Sequence, residues 1–170
     1  MIFIQERIGR IVKDLQRLTY PQSIAIERFK IKETEERFSD VAGLDTGGWE
    51  DFSADNTWGG HRAYFWFDTT VEIPPELDGK CVFFELTTGR EGGWDATNPQ
   101  FCFYVDGELI QGLDIHHRQV LLAECAAAGT RYRLTLAAYT GDDNDHLLLN
   151  ARLCEVDRLT EGDSYDLAIP

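Results

Sequence analysis

Apolar residues recur along this chain with two different periods. At the start they fall at Ile4, Ile8, Ile11, Val12, Leu15 and Leu18, with Arg7, Arg10, Lys13 and Arg17 on the other side. That is the stripe of an amphipathic helix, and Pro21 ends it. From Ser23 the period drops to two, the spacing of a strand with one face buried. Ile24, Ile26, Phe29 and Ile31 sit among charged residues as one or two short strands. Arg62 to Ile73 is the plainest strand: Tyr64, Trp66, Asp68 and Thr70 point one way, and Ala63, Phe65, Phe67, Thr69 and Val71 the other. Pro74-Pro75 stops it. Cys81 to Leu86, Val120 to Leu122, Tyr132 to Ala138 and Leu147 to Val156 supply further strands.

The most explicit hairpin lies between Phe101 and Ile110. Phe101, Phe103 and Val105 alternate into Asp106-Gly107, a pair suited to the positive φ angles of a type I′ turn, and Leu109 and Ile110 begin the return strand. Symmetric pairing about that turn puts Phe103 in the core, opposite Ile110. Many short strands separated by glycine and proline turns predict a mainly β fold. We expect an antiparallel β-sandwich of jelly-roll type with one N-terminal amphipathic helix. The expected organisation is a single domain over 1–170. It consists of a leading helix at 1–20, the sandwich at 23–158, and the start of a linker toward a further domain at 159–170.

Composition narrows the function. Sixteen Lys and Arg against thirty Asp and Glu leave a net charge of −14, which excludes nucleic acid and anionic membranes as partners. No apolar run is long enough to span a bilayer. Gln5, Glu6, Arg7 and Arg10 interrupt the apolar start before a signal peptide can form, so the expected compartment is the cytoplasm. The four cysteines Cys81, Cys102, Cys125 and Cys154 form no Cys-x-x-Cys pair. They are expected to be reduced, with Cys81, Cys102 and Cys154 as small core hydrophobes.

Catalytic and metal motifs are lacking in the sequence. His116 and His117 are adjacent, so on a strand they face opposite ways, and the acidic run Asp142 to Asp145 is followed by Leu147 and Leu148 where an EF-hand needs an oxygen ligand and a glycine. There is no Gly-x-Ser-x-Gly elbow or phosphate-binding glycine loop. No catalytic residue, metal ligand or cofactor is therefore assigned. Sugar binding remains: Trp58 and Trp94 in glycine-flanked loops as stacking platforms, with His61, Asp114 and His117 as polar groups. The plainer reading of the same residues, and the preferred one, is that they plug the ends of the sandwich or contact a neighbouring domain.

Three segments carry a family resemblance. Asn98-Pro99-Gln100 precedes Tyr104-Val105-Asp106-Gly107-Glu108 and Gln111-Gly112-Leu113-Asp114, with His117 three residues on. Thr57-Trp58-Gly59-Gly60-His61 leads into Tyr64-Phe65-Trp66-Phe67, and Asp163-Ser164-Tyr165-Asp166-Leu167 closes the chain. Together they resemble the N-terminal module of glycoside hydrolase family 38 α-mannosidases, in the bacterial and cytosolic-type branch; His116 stands where that pattern usually has asparagine. The resemblance implies a β-sandwich belonging to a retaining, zinc-dependent enzyme that hydrolyses terminal α-mannosidic bonds. It also implies an aspartate nucleophile and a zinc site beginning with His-x-Asp, a motif this sequence does not contain. The expected function is thus a non-catalytic N-terminal domain that packs against and shapes the catalytic domain of the same polypeptide, where the zinc would lie. The alternative is a free-standing carbohydrate-binding module. A mannose-containing oligosaccharide is the second expected partner, and self-association stays open.

Overall fold

The computed structural model describes residues 22–92, 98–142 and 144–156. The predicted leading helix, the predicted linker and Trp94 lie outside the described residues. Within them the chain runs through β1 (Ser23–Ile26), β2 (Arg28–Glu33), β3 (Glu50–Ser53), β4 (Trp58–Gly60), β5 (Tyr64–Glu72), β6 (Val82–Thr87), β7 (Gln100–Val105), β8 (Glu108–Leu113), β9 (Gln119–Ala123), β10 (Arg131–Tyr139), β11 (Asn144–Leu147) and β12 (Asn150–Glu155). A 3-10 turn at Pro75–Leu77 follows the proline stop after β5. Among the described residues there is no α-helix, and no helix is long and apolar enough to cross a membrane.

The architecture is mainly β, and every strand pairing is antiparallel. β1-β12-β6-β9 form one sheet, β3-β2-β5-β10-β7-β8 a larger one, and β11-β4 a short ladder. The period-two pattern explains how the sheets meet. Val82, Phe84 and Leu86 of β6 and Phe101 and Phe103 of β7 all enter one hydrophobic core with Phe65 and Phe67 of β5. Phe84 and Phe103 come from different sheets, and their rings stack with centroids 4.4 Å apart. At the open side Gln111 on β8 reaches across and donates its Nε2 to the Gln119 carbonyl on β9, at 3.0 Å.

The central hairpin has the predicted turn and a different register. Asp106 and Gly107 take φ angles of 51° and 87°, as a type I′ turn requires. Tyr104 pairs with Leu109, but Phe103 pairs with Gln111. Ile110, expected opposite Phe103, is instead the extra residue of a β-bulge. A bulge inserts one residue on one strand and so changes which side chains face inward beyond it. It leaves Ile110 44% exposed and turns Leu113 into the core. Phe103 is fully buried as expected. Cys102 corrects another expectation: it is exposed, because its neighbours Phe101 and Phe103 point inward and strand parity sends it out. Cys154 is buried and Cys81 half-buried. Burial, then the nearby Glu85 carboxylate, pushes the Cys154 thiol up to about 12, so it stays protonated.

Phe103→Ala should lower stability by about 3 to 5 kcal/mol, as for other buried phenylalanines, whereas Ile110→Ala on the bulge should stay within about 0.5 kcal/mol. Gly107→Val should cost at least about 1 kcal/mol. Besides the positive φ, a Cβ there would lie 2.4 Å from the Ala42 Cβ and 2.5 Å from its Cα. Urea denaturation of the three variants checks the set, and a large loss at Ile110 would contradict the bulged register.

Candidate functional site

Because neighbouring strands of the six-stranded sheet alternate in direction, one end of it gathers loops that are far apart in sequence. β2 ends there at Glu33, β5 begins at Tyr64, β7 begins at Gln100, β8 ends at Leu113 and β10 ends at Tyr139. His61, Asp114 and His117 stand on loops at this end. Trp58 does not join them as an exposed platform. Its ladder with β11, Trp58 opposite Leu147, holds the indole against Phe65, Phe67 and Phe101, edge-on at 5.3, 5.1 and 5.6 Å. The ring is 4% exposed, and its Nε1 donates to the Leu148 carbonyl at 3.0 Å. It offers no face to a sugar: the stacking-platform reading fails for Trp58, and the preferred reading, in which it plugs the fold, agrees with its burial.

The loop after β8 is a closed polar turn. Asp114 Oδ1 accepts the backbone N–H groups of His116 and His117 at 2.7 and 2.6 Å. The His117 Nδ1 lies 3.1 and 3.2 Å from the two carboxylate oxygens. Ile115, 3% exposed, anchors the turn from beneath. Burial is the largest influence on Asp114 and opposes its charge, but the hydrogen bonds from His117 and His116 outweigh it and hold the carboxyl below the usual range. His61 is exposed, with its Nδ1 4.0 Å from Asp142 Oδ1. Asp142 chiefly takes the Arg62 guanidinium at 2.6 Å. Among the described residues no group of three His, Cys, Asp or Glu side chains is placed to hold a metal ion.

A recess lies on the outer face of the six-stranded sheet. The segment after β2 folds back across that face and buries Val41, Trp49 and Trp66, with Phe38, Leu44, Tyr104 and Ala137 packed around them. Arg133 on β10 fastens it. Its Nε donates to Asp68 Oδ1 at 2.8 Å, while its two terminal nitrogens donate to the carbonyls of Ala42 and Leu44 at 3.1 and 2.7 Å. Thr135 also donates to Asp68, at 2.7 Å. Between this strap and β7–β8 runs an open groove of about 730 Å³, floored by Tyr64, Trp66, Cys102, Tyr104 and Tyr139 and edged by Glu35, Arg37, Gln100 and Asp114. Tyr64 and Tyr139, partners across β5 and β10, have ring centroids 4.8 Å apart. Burial, then nearby Cys102, raises the Tyr104 hydroxyl above its usual range. Of the described candidate site residues Trp58, His61, Asp114 and His117, Asp114 alone lines the groove. The signal that could have found it was two aromatics, Tyr64 and Trp66, on one side of β5 with Phe65 and Phe67 on the other.

No protein-family model matches the sequence, and no curated protein is similar to it. Solved structures do match in fold. A β-glucuronidase from Ruminococcus gnavus in complex with C6-substituted uronic isofagomine aligns with a TM-score of 0.56 and 10% identity, over 81% of this chain and 29% of that one. An uncultured Clostridium sp. β-glucuronidase gives 0.57 and 12%, over 80% and 29%. A Lactobacillus rhamnosus β-glucuronidase gives 0.52 and 11%, over 81% and 29%. The chain spans about three-tenths of the length of the structures it matches. Its fold is therefore one that occurs within glycosidases, as a part of a longer chain.

Asp114 should make stability depend on acid. Its folded pKa lies below the unfolded value of about 3.9, so its contribution is complete above that value and is lost as the pH falls through the folded pKa. The stability gap between the native chain and Asp114→Asn should accordingly close on acidification below about pH 4, which denaturation across a pH series measures. Arg133→Ala should cost about 3 kcal/mol, because it strands the buried Asp68 carboxylate and frees the strap; the change is read by thermal unfolding and by tryptophan emission.

Proposed function

We propose that this chain is the non-catalytic N-terminal domain of a larger glycosidase, a β-sandwich of jelly-roll type that packs against and shapes the catalytic domain of the same polypeptide. The observation that carries this reading is the fold likeness itself, in which four-fifths of this chain covers three-tenths of each glycosidase. We assign the parent enzyme to the α-mannosidases, retaining and zinc-dependent, with the zinc in the catalytic domain and the whole in the cytoplasm. That assignment rests on the sequence motifs.

The placement of those motifs supports an accessory role. Trp58 is a core residue, Asp106-Gly107 is a turn pressed against Ala42, and Asp114 closes a loop with its own neighbours. Trp58 and the Asp106-Gly107 turn maintain a shape and present little chemistry. The contact with the catalytic domain we place at the edges formed by β8 and β9. Leu109, Ile110 and Leu121 are 55, 44 and 37% exposed there, three of the four large apolar residues that the described chain leaves open. An apolar edge bridged by Gln111 suits an interdomain contact. The rim loops with His61 and His117, expected from sequence to provide it, are polar by comparison.

Incubated with an aryl α-mannoside and zinc, the 170-residue chain should show no turnover. The reading frame beyond Pro170 should continue into a domain containing His-x-Asp. Turnover above a zinc-only control would refute the non-catalytic assignment, and a stop codon directly after Pro170 would favour the free-standing carbohydrate-binding module.

A further inference from the structure

We propose that the groove on the outer face of the six-stranded sheet is a binding site for a neutral saccharide, seated against Tyr64 and hydrogen-bonded from Gln100 and Asp114. This site is separate from the domain contact above and does not depend on it. Its volume of about 730 Å³ falls in the roughly 300–1,000 Å³ range of small-molecule sites, with room for a disaccharide.

The walls are fixed before any ligand arrives. The Thr34 N–H donates to the Tyr64 carbonyl at 3.0 Å. The Trp66 Nε1 donates to the Glu36 carbonyl at 3.2 Å, and Phe38 packs edge-on to Trp66 at 5.1 Å. Tyr139 backs the Tyr64 ring, tilted by 34°, so that Tyr64 keeps its orientation while 39% of it stays open. A rigid aromatic ring with a bare side matches the C–H face of a pyranose, which is apolar although the sugar's edges are not. Around the ring the polar groups are mostly acceptors: the Asp114 carboxylate, ionised in the folded chain, and the carboxylates of Glu35 and Glu36, with Gln100 able both to donate and to accept.

Charge decides which sugar. Glu35, Glu36 and Asp114 line the groove with Arg37, and Lys32 pairs with Glu36 at 3.7 Å, in a chain of net charge −14. A uronic acid or a phosphorylated sugar would meet like charge at short range. A neutral hexose brings hydroxyl donors to these acceptors.

The test is a titration of the whole chain with mannobiose and, separately, glucuronate, followed by amide shifts and calorimetry. Mannobiose should saturate with a Kd of about 1 mM or tighter, with shifts centred on Tyr64, Gln100 and Asp114. Glucuronate should bind at least about tenfold more weakly. Tyr64→Ala should weaken mannobiose at least about tenfold while Tyr64→Phe, which keeps the ring, stays within about twofold. Thermal midpoints of both variants confirm that each is folded. Absence of saturation, equal affinity in folded Tyr64→Ala, or a preference for glucuronate would each overturn the site, and none of these results bears on the turnover assay.

Discussion

Phe65 and Phe67 face one way from β5, Trp66 and Asp68 face the other, and all four are buried. A central strand hidden on both sides needs a cover on each. On the inner side the cover is the four-stranded sheet, whose Phe84 meets the Phe103 ring. On the outer side no second sheet is present among the described residues, and the segment between β2 and β3 serves instead. That segment has no regular ladder of its own. It is held by point contacts: Arg133 to Asp68 and to two strap carbonyls, Trp66 to the Glu36 carbonyl, and the rings of Phe38 and Trp49. Where the strap stops short of β7 and β8, the sheet face is left as an aromatic-floored groove.

The same economy of positive charge shapes both stability and recognition. With thirty acids against sixteen bases, the buried carboxylates each engage an arginine. Asp68 takes Arg133, and Glu85, 4% exposed on β6, takes Arg152 and the Gln119 amide. Leaving such a carboxylate unpaired in a low-dielectric setting would cost more than a typical surface pair contributes. Glu35, Glu36 and Asp114, less deeply buried, line the groove, where they would disfavour an anionic ligand.

The family resemblance is to α-mannosidases, and the fold likeness is to parts of β-glucuronidases. The first rests on short motifs, whose described residues the structure spreads over the core (Trp58, Phe65, Phe67), a turn (Asp106, Gly107) and the groove (Tyr64, Gln100, Tyr104, Asp114). The second rests on backbone shape at 10 to 12% identity, with no shared chemistry implied. The groove is the feature that neither route indicated.

Local patterns could be read from the sequence because their causes are local. Alternation along β5, β7 and β10 identified the core face, since strand parity ties each side chain to its neighbours. Asp106-Gly107 specified a turn through its own backbone preferences, and Pro74-Pro75 a stop. What required tertiary structure was every feature that depends on a distant segment. The bulge at Ile110 arises where β8 must both pair with β7 and deliver Leu113 to the core, so the turn alone misplaced the register by one residue. Trp58 looked like a loop platform until β11 held it against β5. The groove needs residues 34–38, β5, β7, β8 and β10 side by side, and antiparallel pairing brings them together. The longer strands thus followed from sequence and the short β3, β4 and β11 did not, while the site followed from which strands became neighbours, because side-chain periodicity reports which face is buried and carries no information about what lies across it.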